Sequence, residues 1–306
     1  IGTIVGHAPS VIDVRYEQVG VPWGLGHRPF AWCVLIAGRS QCVIETRVTV
    51  PSSGMGFFMS LIAITGAASG IGAATAAALQ AAGHRVLGVD LRNAEIVADL
   101  STADGRSQAV AAIVERSAGV LDGLVLCAGL GAQVEPASKI AAVNYFGVVT
   151  LLDGLLEPLA RGSAASAVVV SSVASAHLSF DKNPLGAALE AGDEAQVAAI
   201  LAGAVERAGP LAYAGSKNAV TVAVRRRVQA WAQRGVRINT VAPGAVETPL
   251  LQAALSDARL GRATQEFVAP IARRALPDEI ASMILYLLGP QASYIHGAQF
   301  VVDGGI

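Results

Sequence analysis

Two hydrophobic rhythms interleave along most of the chain. Short apolar runs bounded by turn residues recur at Leu61–Thr65, Arg85–Val89, Gly123–Cys127, Ala167–Ser171, Val236–Val241 and Gln299–Val302. Runs this short, apolar at successive positions, fit strands buried on both faces of a parallel sheet. Longer Ala-rich stretches with helical spacing lie between them, at Gly70–Ala82, Ala103–Ala118, Ala137–Ala160, Tyr213–Arg234 and Asp278–Leu288. Strand and helix in regular alternation predict an α/β fold: a doubly wound parallel sheet with helices on both faces.

The rhythm starts only near Met59. Residues 1–58 hold two of the three cysteines (Cys33, Cys42) and two of the three tryptophans (Trp23, Trp32), with no clear helical period. They read as an N-terminal extension or as upstream sequence translated ahead of Met59, the second being favoured by a chain that opens on Ile1. Residues 59–306 read as a single domain. A break in the alternation falls at residues 175–210, where apolar positions at Val197, Ile200, Leu201 and Val205 accompany a turn at Ala191-Gly192-Asp193. That pattern predicts an inserted helix-turn-helix.

Composition narrows the class. With 53% hydrophobic and 15% charged residues, the chain has a large core and a lightly charged surface, of the kind that often hides a subunit interface. The formal net charge is −1 and there is no basic block, which argues against a nucleic-acid partner. Cysteines and histidines show no CxxC, HxxxH or mixed ligand spacing, so no metal is expected. The apolar run from Phe30 to Ala37 is too short to span a bilayer and lacks a signal-peptide cleavage pattern. A cytoplasmic protein with no membrane partner is the expectation.

Candidate chemistry begins directly after the first predicted strand, at Thr65-Gly66-Ala67-Ala68-Ser69-Gly70-Ile71-Gly72, which opens a helix. Glycines there let the backbone turn tightly and approach a pyrophosphate, and the helix N-terminus offers free N–H groups. Strand, turn, helix and strand in that order form the setting of a dinucleotide site of the Rossmann fold. Asp90 closes the second strand, where a carboxylate accepts from ribose hydroxyls and repels a 2′-phosphate; NAD is favoured. Arg92, two residues on, keeps NADP open, since a guanidinium holds phosphate well. Farther along, "YAGSK" sets Tyr213 and Lys217 one helical turn apart in a chain with five tyrosines and three lysines. Side chains at i and i+4 share a helix face, so the pair is either a surface feature of an amphipathic helix or a phenol and an ammonium converging on one point.

With Gly66, Gly70, Gly72, Tyr213 and Lys217 in one chain, residues 59–306 resemble the classical short-chain dehydrogenase/reductase family. Further landmarks fall in family order: Asp99-Leu100, Cys127-Ala128-Gly129, Asn144, Ser171-Ser172, Pro243-Gly244 and Thr248. Cys127 departs from the family's usual Asn and reads as tolerated in a buried strand end. The resemblance implies that Tyr213 is the general acid/base, that Lys217 lowers its pKa and binds the nicotinamide ribose, and that Ser172 hydrogen-bonds the reacting oxygen. It implies that Asn144 holds a water linking Lys217 to solvent. Thr65, Gly66, Ser69, Gly70, Ile71 and Gly72 would cradle the dinucleotide. Asp99 and Leu100 would meet the adenine, Ala128 and Gly129 would line the ribose path, and Pro243, Gly244, Val246 and Thr248 would flank the nicotinamide.

Tyr213 follows Ser172 by 41 residues, a longer gap than most classical members have. The inserted segment, "SSVASAHLSFDKNP" and "APGAVETPLL" resemble the branch of the family that oxidises hydroxysteroids and reduces carbonyl compounds. That branch implies a small apolar alcohol or ketone as substrate and a pocket walled by the insertion and residues 248–255. It also implies a homodimer, because the insertion would obstruct the family's usual tetramer contact, and a few further residues after Ile306. An aromatic alcohol dehydrogenase of coniferyl alcohol type is the neighbouring reading, and a non-catalytic dinucleotide-binding protein is the reading from another class.

Overall fold

A computed structural model describes residues 59–176 and 178–306; the reading of residues 1–58 as an extension lies outside the described residues. Seven parallel strands form one sheet in the order β3-β2-β1-β4-β5-β6-β7. They are β1 (Leu61–Thr65), β2 (Arg85–Asp90), β3 (Ile96–Val97), β4 (Gly123–Leu126), β5 (Ser166–Val170), β6 (Arg237–Pro243) and β7 (Gln299–Val302). Six match predicted strands. The seventh, β3, pairs with β2 only through Val89–Ile96 and Asp90–Val97, and two residues are too few to show a period.

The strands are apolar throughout because each face of the sheet packs on its own core. Ala63, Leu124, Leu126, Ala167 and Val169 point into one cluster. Their chain neighbours Ile62, Ile64, Val125, Val168 and Val170 point into the other. The second cluster is covered by α1 (Gly70–Ala81) and α10 (Pro277–Leu288), which touch each other. The first is covered by α2 (Ala103–Arg116), by α3 (Ala137–Ala141), which runs through a π-helical turn at Ala142–Gly147 into α4 (Val148–Ala160), and by α7 (Ala208–Gln233). The stretch Ala137–Ala160 is apolar and long enough to cross a membrane, but it is a core helix here, with 61% of its most apolar window buried.

The insertion is built as α5 (Gly186–Glu190) and α6 (Glu194–Ala204), with the turn at the expected Ala191-Gly192-Asp193. Asp193 caps α6 by accepting from the Gln196 N–H at 2.8 Å. Val197 and Leu201 bury against the core. Val205, expected to continue that apolar face, instead ends the helix, 75% exposed and with φ of 45°. Two short helices after β6, α8 (Pro249–Leu255) and α9 (Gly261–Glu266), complete the domain. The helix carrying Tyr213 begins at Ala208, five residues before the predicted start, so the tyrosine sits inside a formed helix.

Candidate active site

The chain passes outward from β1 to β2 and β3, then returns to place β4 on the other side of β1. Ligands of doubly wound sheets bind outside the strand ends at such a switch point. The carboxyl ends of β1 and β4 are held together there: the Ala128 N–H donates to Thr65 Oγ1 at 3.1 Å. Gly66 has φ of 71°, and a Cβ on it would stand 2.8 Å from the Ala128 nitrogen. A Cβ on Gly72 would stand 2.1 Å from the Gly66 carbonyl oxygen. Both glycines are therefore dictated by close backbone approach.

A cavity of about 450 Å³ runs along these strand ends. Its wall contains every expected cofactor and catalytic residue except Thr65 and Asn144: Gly66, Ser69, Gly70, Ile71, Gly72, Asp90, Asp99, Leu100, Ala128 and Gly129, and with them Ser172, Tyr213, Lys217, Pro243, Gly244, Val246 and Thr248. Thr65 lies behind the wall with its hydroxyl on Ala128. Arg92 is exposed and is absent from the wall, whereas Asp90 is part of it. The Asp90 carboxylate accepts from Ala68 N–H at 3.0 Å and Leu91 N–H at 2.7 Å, which fixes it against the glycine turn. Asp99 is held below the usual carboxylate range by hydrogen bonds from the Ser101 side chain and backbone. A glycine turn at a helix N-terminus and a fixed carboxylate at the next strand end fit an adenine dinucleotide with free ribose hydroxyls.

The catalytic end is assembled from side chains. Ser172 ends the segment after β5, and its Oγ accepts from the Ala174 N–H at 3.2 Å. Burial pushes the Tyr213 phenol above its ordinary value, and the neighbouring Ser172 hydroxyl offsets only part of that rise. Lys217 is 4% exposed, and burial lowers its ammonium to about 8. The Lys217 Nζ donates to the Val170 carbonyl at 2.8 Å, which holds the ammonium at the end of β5 beside Ser171 and Ser172. Ser171 anchors the helix from the side, its Oγ donating to the Lys217 carbonyl at 3.0 Å.

Asn144 lies in the π-helical turn and is fully buried. Turns of this type are frequent at functional sites. Its Oδ1 accepts from Leu130 N–H at 2.8 Å and its Nδ2 donates to Leu130 C=O at 3.0 Å. Both ends of the carboxamide thus clasp the backbone of one residue, beside Gly129. Cys127 lines the cavity, with its thiol pushed up to about 12 by burial against an opposing pull from Lys217. It is a neutral thiol, in keeping with a tolerated replacement.

Sequence reasoning missed Val134, Glu135, Lys139 and Val143, which line the cavity from the loop after β4 and from the helix beyond it. Lys139 and Val143 stand at i and i+4, a spacing that could have placed them on one face. Thr248, Pro249, Leu250 and Leu251 wall the site as expected, but among the described residues none from 175–210 does. The expected role of the insertion as a pocket wall is corrected accordingly: its apolar side is taken up by packing on α3 and α7.

Profiles described as short chain dehydrogenase and as enoyl-(acyl carrier protein) reductase match residues 60–194 and 192–306 respectively. The chain is 58% identical over 248 residues to the 3-alpha-hydroxysteroid dehydrogenase/carbonyl reductase of Comamonas testosteroni, covering 81% of this chain and 96% of that enzyme. It is 34% identical to the coniferyl-alcohol dehydrogenase of Pseudomonas sp. strain HR199, covering 80% and 95%. Among solved structures, that of the 3-alpha-hydroxysteroid dehydrogenase from Pseudomonas sp. B-0831 complexed with NADH aligns with a TM-score of 0.77 at 55% identity, covering 80% of this chain and 96% of that one.

Proposed function

Because the chain belongs to the short-chain dehydrogenase/reductase family, we propose that it interconverts secondary alcohols and ketones with NAD, with 3α-hydroxysteroids and assorted carbonyl compounds as its substrates. The observation that carries this reading is the meeting of Ser172, Tyr213 and Lys217 at one end of a cavity whose other end holds Asp90 against a glycine turn. When bound, the nicotinamide supplies the hydride chemistry, accepting hydride from the alcohol carbon or returning it to the carbonyl. The chain manages the proton. In oxidation, Tyr213 Oη takes the proton from the substrate hydroxyl, and in reduction it gives one to the carbonyl oxygen.

Ser172 donates to the same oxygen, where its hydrogen bond strengthens as charge develops. Lys217, buried but still charged below about pH 8, presents an ammonium to the nicotinamide ribose and to the phenolate. Asn144 fixes the backbone of Leu130 beside the cofactor path. Asp90 excludes a 2′-phosphate by charge, and the position of Arg92 outside the cavity wall supports the same preference. The protein acts as a cytoplasmic homodimer in this reading; a gel-filtration mass of four chains would contradict the dimer.

The resemblance to a coniferyl-alcohol dehydrogenase supports one other substrate class, aromatic alcohols. Initial rates for androsterone and for coniferyl alcohol, each with NAD and with NADP, test both choices. The reading calls for androsterone with NAD to be fastest. NADH binding without oxidation of any alcohol in a broad panel would instead favour a non-catalytic dinucleotide-binding protein.

A further inference from the structure

The insertion touches the catalytic helix through two buried amides. Asn183, just before α5, is 6% exposed, and Asn218, the residue after Lys217, is 5% exposed. Asn183 Nδ2 donates to the Gly215 carbonyl at 2.8 Å and to Asn218 Oδ1 at 3.2 Å, while its Oδ1 accepts from Leu185 N–H at 3.1 Å. Asn218 Nδ2 in turn donates to the Ser175 carbonyl at 3.0 Å and the Leu178 carbonyl at 2.6 Å. Gly215 lies midway between Tyr213 and Lys217, and Ser175 lies three residues past Ser172. The two amides therefore join three pieces: the segment behind the catalytic serine, the helix turn bearing the tyrosine and lysine, and the start of the insertion.

Every polar atom of both carboxamides has a partner. Buried polar networks with all members satisfied specify one geometry, because any displaced arrangement leaves a desolvated donor or acceptor unpaired. Proton transfer and hydride transfer depend on spacing at the sub-ångström level. A second device tightens the same joint. The Cβ that Gly215 lacks would stand 2.9 Å from Asn183 Oδ1 and 3.1 Å from Leu185 Cδ1, so the insertion seats directly on the helix backbone between the two catalytic residues.

We propose that Asn183 is a positioning residue for the reaction: carried on the insertion, it acts through Asn218 and the Gly215 carbonyl to set the spacing of Ser172 and Tyr213. The insertion thereby contributes to catalysis as a brace on the catalytic helix, although it lines no part of the cavity among the described residues. This rests on the dehydrogenase reading of the site.

The test uses the full chain as Asn183→Ala, Asn218→Ala and the double variant, with kcat, the KM for NAD, NADH affinity and thermal midpoint measured for each. Asn183→Ala should lower kcat about tenfold or more while NADH affinity stays within about twofold, because the cradle is remote from the amides. The double variant should lose less than the product of the single losses, since both remove one shared network. Where an Asn183 variant does not fold, Gly215→Ala serves instead: it favours the helix intrinsically yet pushes Asn183 aside, and should show the same drop in kcat at unchanged NADH affinity. A kcat per folded enzyme equal to that of the parent, or losses in kcat and NADH affinity that move together, would overturn the proposal. Tyr213→Phe separates this from failure of the site reading: turnover retained there sinks the site, whereas turnover abolished there but normal in the Asn183 and Gly215 variants sinks only the brace.

Discussion

The two ends of the cavity are made of different material. At the dinucleotide end, recognition is prepared by backbone: a glycine turn between β1 and α1, a helix N-terminus, and a carboxylate pinned by Ala68 and Leu91 N–H groups. At the catalytic end, it is prepared by buried side chains: Ser171, Lys217, Asn144, Asn183 and Asn218 hold carbonyls and peptides from distant segments. The first end depends on where atoms are missing, since a Cβ at Gly66 or Gly72 would strike the backbone. The second depends on polar groups being present and paired, so its failures should appear in rate and not in cofactor binding.

Substitutions can break or sharpen that contrast. The largest effect is expected from Tyr213→Phe, which removes the proton donor and acceptor: kcat should fall by about 10² to 10⁴-fold while NADH binding, followed by fluorescence titration, stays close to that of the parent. Gly72→Ala should do the opposite, weakening NADH binding by roughly tenfold to a hundredfold as the turn shifts away from the Gly66 carbonyl. A loss of kcat with intact binding there would erase the distinction between the two ends. Asp90→Ala should cost about tenfold in NAD affinity and relax discrimination against NADP, as read from the ratio of kcat/KM for the two cofactors.

The smallest expected effect is on stability and comes from Lys217. Burial lowers its folded pKa to about 8 from an ordinary 10.5. Between those values the unfolded chain holds a proton that the folded one has released, so unfolding free energy rises with pH. From pH 7 to pH 9 the gain should be about 1 kcal/mol, measured by denaturant unfolding. Lys217→Met should lack this rise; an equal rise in the variant would place the titration elsewhere.

The same contrast explains what could be read from the sequence. The cradle is local: strand, glycines, helix and strand-end Asp90 follow one another within 26 residues of Thr65, and each leaves its mark on composition. Tyr213 and Lys217 were visible as an i, i+4 pair, but their meaning came from resemblance, because Ser172 and Asn144 are ordinary residues until the fold brings them together. What stayed hidden involves long separations. The Lys217 bond to Val170 spans 47 residues, and the Asn183 bonds to Gly215 and Asn218 span 32 and 35. Contacts of that kind impose no period. The insertion's helices were legible from their apolar spacing, yet the direction of their apolar face, toward α3 and α7 and away from the cavity, was not.

The most direct test of the account uses the full chain, NAD and a 3α-hydroxysteroid carrying deuterium at carbon 3. The account calls for deuterium to appear in the NADH formed, for a ketone to form in equal amount, and for both to vanish in Tyr213→Phe although NADH still binds. NADH free of deuterium, or turnover that survives in the variant, would contradict it.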